Sequence, residues 1–234
     1  HSFSCFLSTR AQEQIFNFCS ENRKGIFVGA LSGLTPSAPG HSHQMLRDIP
    51  LIGSMPNMTM VELYSEKMIK QFFNYQKKIK NSLFVKINNS ELIEKNFKNL
   101  KLPKIGNFLE VLNKKNNNTV IICQGAEVLN EILKIKNEIK SMNKISLFFS
   151  VWLNKINKKE ILKLKNKKIL IFQSSTTFGS FDSFLSNQVL SNGCNLKKYK
   201  TISINGIPAC GQNGEVLDYH NLSSLKILDI IKKF

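Results

Sequence analysis

Two histidines that stand one residue apart, on a loop rich in glycine and proline, are the first candidates for chemistry in this 234-residue sequence. His41 and His43 lie within the segment 39–44. An imidazole on such a loop can donate to an oxyanion or a hydroxyl group, or carry a proton. It can also bind a metal, but no third Cys, His or carboxylate stands at a suggestive spacing. A polar substrate contact and a structural histidine both stay open, and we predict no metal site.

Two phenylalanines ahead of an arginine form the second candidate set. Phe3 and Phe6 precede Arg10 at the end of what is expected to be a strand. Phenylalanine most often packs in a core, but such a pair can also form a stacking platform for a planar heterocycle. Nucleotide-binding glycine loops, the nucleophile elbow and a Gly-Asp-Gly diphosphate motif are all absent from the sequence.

The composition excludes several classes of protein. A hydrophobic fraction of 42% is enough for a packed core and argues against disorder along the whole chain. No apolar run reaches the roughly 18 residues that a membrane-spanning helix needs, and the start of the chain lacks the pattern of a signal peptide. The five cysteines are odd in number and form no C-x-x-C pair, which indicates reduced thiols. We therefore expect a cytoplasmic protein that does not associate with membranes.

The positive charge is interpreted as a feature of composition. Lys and Arg number 33 against 16 Asp and Glu, for a net charge of +17. Most of the excess is Lys mixed with Asn and Ile, as an AT-rich coding sequence produces, and only three residues are Arg. Because Arg is the side chain favoured for bidentate contacts to bases and phosphates, nucleic acid is not an expected partner.

Alternating strands and helices must position the candidate residues. Before a polar segment at 88–107, we predict strands at 25–29, 58–63 and 83–87 and helices at 11–20, 44–53 and 65–80. After it, we predict strands at 119–123, 145–149, 168–172 and 199–204 and helices at 126–142, 158–165, 179–190 and 222–233, with a turn at 211–214. Strands that alternate with helices predict α/β architecture with parallel sheets.

Taken in order, several segments resemble the transketolase family of thiamine diphosphate enzymes. Segment 2–14 is similar to the family's Phe-x-x-Phe followed by Arg-Ala-x-(Asp/Glu)-Gln, and segment 40–44 resembles its Gly-x-(Thr/Ser)-His-Gln loop. Segment 52–59 resembles the strand entry (Leu/Ile)-Pro-Asn-Met-Thr. A weaker likeness to the C-terminal transketolase domain covers 119–125, 178–182 and 211–222.

The resemblance implies an α/β fold of two domains, with mainly parallel sheets flanked by helices. Residues 1–92 are expected to form part of a pyrimidine-binding domain and residues 108–234 a transketolase C-terminal-like domain. Residues 93–107 are the expected linker between them.

The resemblance also implies roles for the candidate residues. Phe6 is expected to stack on the aminopyrimidine ring of thiamine diphosphate, with Phe3 lining the same pocket. His43 is the expected catalytic residue and contacts the substrate, and His41 and Arg10 are further expected substrate contacts.

Some parts of the family's site are missing. The Glu that hydrogen-bonds the aminopyrimidine lies upstream of the Phe-x-x-Phe segment in the family, and Glu13 is not its equivalent. The resemblance therefore implies a partner chain, an N-terminal transketolase-like subunit that holds the diphosphate and Mg²⁺, within a dimer or heterotetramer. Leu31 and Asn88 stand where relatives carry a His and an Arg for a sugar phosphate, and Lys86 is the candidate replacement.

The function that follows is transfer of a two-carbon ketol unit between sugars by a complex of which this chain is one part. The chain by itself is expected to be inert. The first alternative is a catalytically dead or truncated relative that acts as a structural partner. The second is another thiamine diphosphate enzyme, either a deoxyxylulose-phosphate synthase or a 2-oxo acid dehydrogenase β chain.

Overall fold

A computed structural model of the chain describes residues 1–88 and 100–234, which form two sheets with helices packed on them. Part of the predicted linker, residues 93–99, lies outside the described residues. The strands of the first sheet are β1 (Ser2–Phe3), β2 (Ile26–Ala30), β3 (Met58–Leu63) and β4 (Ser82–Ile87). All pairs are parallel, in the order β1-β2-β4-β3, so the carboxyl ends of the strands meet at one edge.

Four helices and one short 3₁₀ turn belong to this first sheet. They are α1 (Ser4–Arg10), α2 (Gln12–Ser20), α3 (Asp48–Gly53) and α4 (Glu66–Tyr75), followed by the 3₁₀ turn Gln76–Lys78. Helix α4 begins where Ser65 accepts a hydrogen bond from the backbone N–H of Met68 at 3.2 Å, which satisfies one of the free donors at the helix start. Its buried residues Met68 and Phe72 lie four apart, so they form one apolar face against the sheet.

The second sheet has five strands in the order β5-β7-β6-β8-β9. They are β5 (Leu109–Leu112), β6 (Thr119–Gln124), β7 (Ile145–Phe149), β8 (Lys168–Thr176) and β9 (Lys198–Ile204). Only β5 pairs in the antiparallel direction, with β7. The helices are α5 (Ala126–Lys134), α6 (Lys136–Ser141), α7 (Lys158–Leu162), α8 (Phe181–Ser191), α9 (Asn213–Tyr219) and α10 (Ser224–Lys233). Within the described residues, no helix combines the length and apolar character needed to cross a bilayer.

Three local expectations were wrong. Phe6 does not end a strand, because β1 stops at Phe3 and α1 begins at Ser4. The helix predicted at 126–142 is two helices, since Ile135 leaves helical geometry (ψ 17°) while its side chain is buried in the core. The turn predicted at 211–214 leads directly into α9, whose start at Asn213 was missed because a seven-residue helix shows little periodicity.

The two sheets are joined along strand β3, which is the edge of the first sheet. The backbone N–H of Glu62 donates to the carbonyl of Val151 at 2.9 Å, and Leu153 donates to the carbonyl of Met60 at 3.0 Å. Trp152, between these two contacts, is 1% exposed and donates its indole N–H to the carbonyl of Pro103 at 3.1 Å. The segment that follows β7 therefore covers an edge that would otherwise expose unpaired backbone groups.

A buried ion pair lies inside the first sheet. The ammonium of Lys86 in β4 contacts a carboxylate oxygen of Asp48 at 3.1 Å, and both side chains are at most 1% exposed. Glu62 is the register partner of Lys86 on the neighbouring strand. Burial by itself lowers the pKa of Lys86, but the carboxylates of Asp48 and Glu62 outweigh burial and raise that pKa above its ordinary value.

Replacing Lys86 by methionine is expected to lower the free energy of unfolding by about 3 to 5 kcal/mol, because it leaves Asp48 charged and buried without its cation. Urea unfolding at neutral pH measures this change. The matched control is Lys233→Met, which breaks the exposed pair with Asp229 and should cost less than about 1 kcal/mol. Equal effects of the two variants would contradict the assigned importance of the buried pair.

Candidate functional site

Phe3, Phe6 and His43 form an aromatic cluster at the carboxyl edge of the first sheet. The ring centroids of Phe3 and Phe6 lie 5.8 Å apart, and the Phe6 ring meets the His43 ring edge-on at 5.3 Å. Phe3 lies 6.3 Å from His43 and is 43% exposed. Offset and edge-on geometries at these distances are the favourable ones for aromatic pairs. The structure thus brings together predicted residues that are about forty positions apart in the sequence.

Arg10 also belongs to this cluster. Its guanidinium carbon lies 4.2 Å from the centroid of the Phe6 ring, a cation–π contact. Phe6 and Arg10 lie one turn apart on α1, which places both side chains on the same face of that helix. Because the guanidinium covers one face of the ring, a planar ligand stacking on Phe6 must use the opposite face or displace Arg10.

The structure separates the two histidines of the loop. The loop turns tightly at Gly40 (φ 73°), whose carbonyl accepts the backbone N–H groups of both His43 and Gln44. The Ser42 hydroxyl lies 3.0 Å from Nδ1 of His43, so Nε2 is the ring nitrogen that remains to contact a ligand. His41 is exposed and lines a cavity that His43 does not line, and among the described residues it makes no ring contact with Phe3 or Phe6.

The loop that carries these histidines is fastened to the second sheet. Gln44 donates both protons of its amide nitrogen, to the carbonyl of Leu34 at 3.1 Å and to that of Ala209 at 3.0 Å. The N–H of Thr176, the last residue of β8, donates to the carbonyl of Leu46 at 3.0 Å. One of these bonds comes from the first half of the chain, through Leu34, and two come from the second half, through Ala209 and Thr176. The position of His43 therefore depends on both halves.

Glu127 in α5 contacts the segment that leads to this loop. Its carboxylate accepts the backbone N–H of Leu34 and the amide of Asn88, the latter at 3.2 Å. Gly33 allows this approach, because its φ of +116° favours glycine and a Cβ there would lie 2.4 Å from the Glu127 carboxylate. Burial raises the pKa of Glu127, and the nearby charge of Glu62 adds to the increase.

The carboxylate of Asp48 binds side chains from helix α1, from the segment that leads to His43 and from strand β4. It accepts hydrogen bonds from the hydroxyls of Ser4, at 3.3 Å, and Ser32, and it pairs with Lys86. Ser4 directly follows Phe3 and starts α1, while Ser32 lies at the start of the segment that leads to His43. One buried carboxylate thus holds the beginnings of both segments that form the aromatic cluster.

Lys86 is therefore not the replacement for a phosphate-binding side chain that the sequence suggested. Its ammonium is 1% exposed and bound to Asp48, so no cation is left there for a substrate. Asn88 is engaged by Glu127, and Leu31 contributes no polar side chain. Among the described residues, no group of three His, Cys, Asp or Glu side chains is arranged to hold a metal ion.

Sequence reasoning missed the buried charges beneath the site, although a signal was present. Strands β3 and β4 each carry a single charged residue, Glu62 and Lys86, in a mostly apolar run, and such residues are rarely buried unless paired. Glu62 accepts from the Gln124 amide at 2.8 Å and lies 3.2 Å from the Tyr64 hydroxyl. The Tyr64 hydroxyl also lies 2.9 Å from the carbonyl of Ser150, so its single proton is shared between these two acceptors.

Comparisons with known proteins agree with the predicted resemblance. No protein-family model matches the chain. Over 99% of its length it is 27% identical to the "Putative transketolase C-terminal section" of Methanocaldococcus jannaschii, of which it covers 74%. A solved structure described as a split-gene transketolase, inactive β4 tetramer, matches with a TM-score of 0.81 at 15% identity, over 99% of this chain and 74% of that one.

The chain also matches part of a longer solved structure. It matches the transketolase of Campylobacter jejuni over its whole length with a TM-score of 0.75 at 14% identity, and covers 35% of that chain. The resemblance to the C-terminal part of transketolases is confirmed, as is the α/β fold with mainly parallel sheets flanked by helices.

The raised pKa of Glu62 predicts a pH dependence of stability. Burial raises this pKa above 4.5, and the opposing effect of Lys86 does not cancel it. As the pH rises, Glu62 loses its proton in the unfolded chain before it does so in the folded chain. The free energy of unfolding therefore falls from about pH 4.5 until the pH passes the higher pKa of the folded state. Urea unfolding across this range should show Glu62→Gln gaining stability relative to the parent as pH rises. A Glu13→Gln variant, which retains Glu62, controls for loss of a carboxylate, and a pH-independent difference would contradict the raised pKa.

Proposed function

We propose that this chain is the C-terminal part of a transketolase-type enzyme that transfers two-carbon ketol units between sugars. The aromatic cluster of Phe3, Phe6, His43 and Arg10 is the observation that carries the proposal. In sequence and fold the chain resembles transketolase C-terminal sections over almost its full length. A partner chain, an N-terminal transketolase-like subunit, would supply the diphosphate and Mg²⁺ sites.

The cluster has the features required of a pocket for the aminopyrimidine ring of thiamine diphosphate. Phe3 exposes 43% of its surface, and Phe6 is partly buried against Arg10 and His43. Phe6 would stack on the ring and Phe3 would close one side of the pocket. When bound, the cofactor supplies a carbanion that takes up and releases the ketol unit.

His43 and Arg10 are the proposed substrate-binding groups, and His43 the catalytic one. With Nδ1 held by Ser42, the Nε2 atom of His43 would donate to or accept from sugar hydroxyls and carry a proton there. The Arg10 guanidinium would bind an anionic or hydroxyl group of the substrate at the edge of the Phe6 ring. His41 lies outside the aromatic cluster and is proposed only as a peripheral contact.

The second candidate function is a catalytically inactive structural partner. The solved split-gene transketolase is described as an inactive β4 tetramer, which favours an inactive self-association of this chain when it is alone. The diphosphate motif is absent from the sequence, and the described residues show no three-residue metal group. Other thiamine diphosphate enzymes, a deoxyxylulose-phosphate synthase or a 2-oxo acid dehydrogenase β chain, remain alternatives for the complex.

Loss of the Phe6 ring should weaken binding of thiamine diphosphate by the complex of this chain with its partner. Titration calorimetry in the presence of Mg²⁺ is expected to show about tenfold weaker binding for Phe6→Ala, because the stacking surface is lost. Phe178→Ala is the control, since Phe178 is 88% exposed and lies outside the cluster. Unchanged binding by Phe6→Ala would remove the ring from the cofactor site.

Replacing His43 should reduce ketol transfer more than it reduces cofactor binding. For the complex, His43→Asn is expected to lower kcat/KM by about 10² to 10⁴ in a coupled assay with a ketose donor and an aldose acceptor. If the parent complex transfers the ketol unit and the His43→Asn complex does so equally well, the catalytic role of His43 is contradicted. No transfer by the parent complex, despite cofactor binding, would favour the alternatives, and turnover of pyruvate would identify one of the other thiamine diphosphate enzymes.

A further inference from the structure

A cavity of about 130 Å³ lies between the loop of residues 40–47 and the carboxyl end of the second sheet. The loop contributes His41, Gln44 and Arg47, and the opposite wall is formed by Thr176 and the turn at 206–208. None of the three aromatic rings of the candidate cofactor site lines this cavity. It is therefore separate from the cluster, but it shares the loop that positions the catalytic histidine.

The cavity is electrostatically suited to an anion. Arg47 and His41 line it, both side chains are exposed, and the cavity has no carboxylate among the described residues that line it. In the part of the chain that the structure describes, no carboxylate forms an ion pair with Arg47. An unpaired guanidinium at a concave site offers a fork of donors that matches the oxygens of a phosphate or a carboxylate.

Gln44 adds an unsatisfied acceptor to the same wall. The residue is 5% exposed, and its amide nitrogen is fully engaged by the carbonyls of Leu34 and Ala209. Its amide oxygen is buried and has no hydrogen-bond partner among the described residues. Native structures rarely leave a buried polar atom unpaired, so a donor from outside the described residues, a water or a ligand hydroxyl, is expected at this atom.

We propose that this cavity binds a small organic anion, a phosphate monoester or a carboxylate, that also carries a hydroxyl group. The anionic group would lie against Arg47 and His41, and a small shift of the loop would let the hydroxyl donate to the Gln44 amide oxygen. Because His43 precedes Gln44 directly, the same shift moves the catalytic histidine. Occupancy of the cavity thus adjusts the aromatic cluster without any contact to it.

Titration of the full-length chain with glycerol 3-phosphate tests the proposal, with the histidine side chains observed by NMR at constant ionic strength. The expected result is a saturable shift of the His41 and His43 resonances. Arg47→Gln should weaken binding about tenfold, because a charge-assisted bond is lost, and Arg47→Lys should restore part of it. The absence of a saturable shift in the parent would overturn the proposal.

The control separates a built site from general attraction to a chain of net charge +17. Arg23→Gln removes the same charge from an exposed residue that is paired with Glu21 at 2.7 Å. It is expected to change the affinity by less than about twofold, and equal weakening by both Arg variants would refute a specific cavity. Thermal melting confirms that each variant is folded.

The hydroxyl requirement has a test of its own, in which inorganic phosphate and glycerate replace glycerol 3-phosphate. Glycerol 3-phosphate should bind more tightly than inorganic phosphate to the parent, and Gln44→Leu should abolish that preference. A preference that survives in Gln44→Leu would remove Gln44 from the site. Comparison with glycerate decides whether the anionic position prefers a phosphate or a carboxylate.

Discussion

The carboxylate of Asp48 is the group on which the geometry of the candidate site depends. It is fully buried at the start of α3 and is held by Lys86 and by the hydroxyls of Ser4 and Ser32. A buried carboxylate is stable only when charged and polar donors surround it. Two of these donors, Ser4 and Ser32, lie where helix α1 and the segment that leads to His43 begin, so their hydrogen bonds to one carboxylate also place both halves of the site.

This arrangement decides which charges remain for function. Lys86 neutralises Asp48 and faces Glu62 across the strand pair, so it belongs to the structure of the sheet. Arg10, on the Phe6 ring, and Arg47, at the cavity that His41 lines, form no ion pair with a carboxylate among the described residues. Each of these arginines lies beside an aromatic ring or a cavity, where its planar guanidinium can bind an anion in a defined geometry.

The second sheet acts on the site from a position where open α/β sheets often bind ligands. Such ligands bind at the carboxyl ends of two adjacent strands whose following connections run to opposite sides of the sheet, which is the topological switch point. Strands β6 and β8 form that pair here, because β7 lies on one side of β6 and β8 on the other. Residues from the first half of the chain make contact beside this pair of strands, where Glu127 accepts from the backbone N–H of Leu34 and Gln124 donates to Glu62. A place commonly used by a ligand is thereby used to hold the histidine loop.

The sequence by itself predicted strands β2 to β4 and β6 to β9, the alternation of strands with helices and the resemblance to the segments that carry Phe6 and His43, but it did not predict strand β5 (Leu109–Leu112). The strand β7 (Ile145–Phe149) was predicted with its observed bounds because a short apolar run between polar residues is a local property. The break at Ile135 and the short helix α9 were not predictable in this way, since buried side chains rather than local preference decide them.

Only the tertiary structure decided how the candidate residues meet. The motif resemblance identified Phe6 and His43 as members of one site, but it did not place Arg10 on the Phe6 ring or separate His41 from His43. It also offered Lys86 as a substrate-binding cation, which the structure commits to Asp48. Contacts of this kind join residues far apart in the chain, and their energies depend on burial and on the partners that the fold supplies. A linear pattern carries neither quantity.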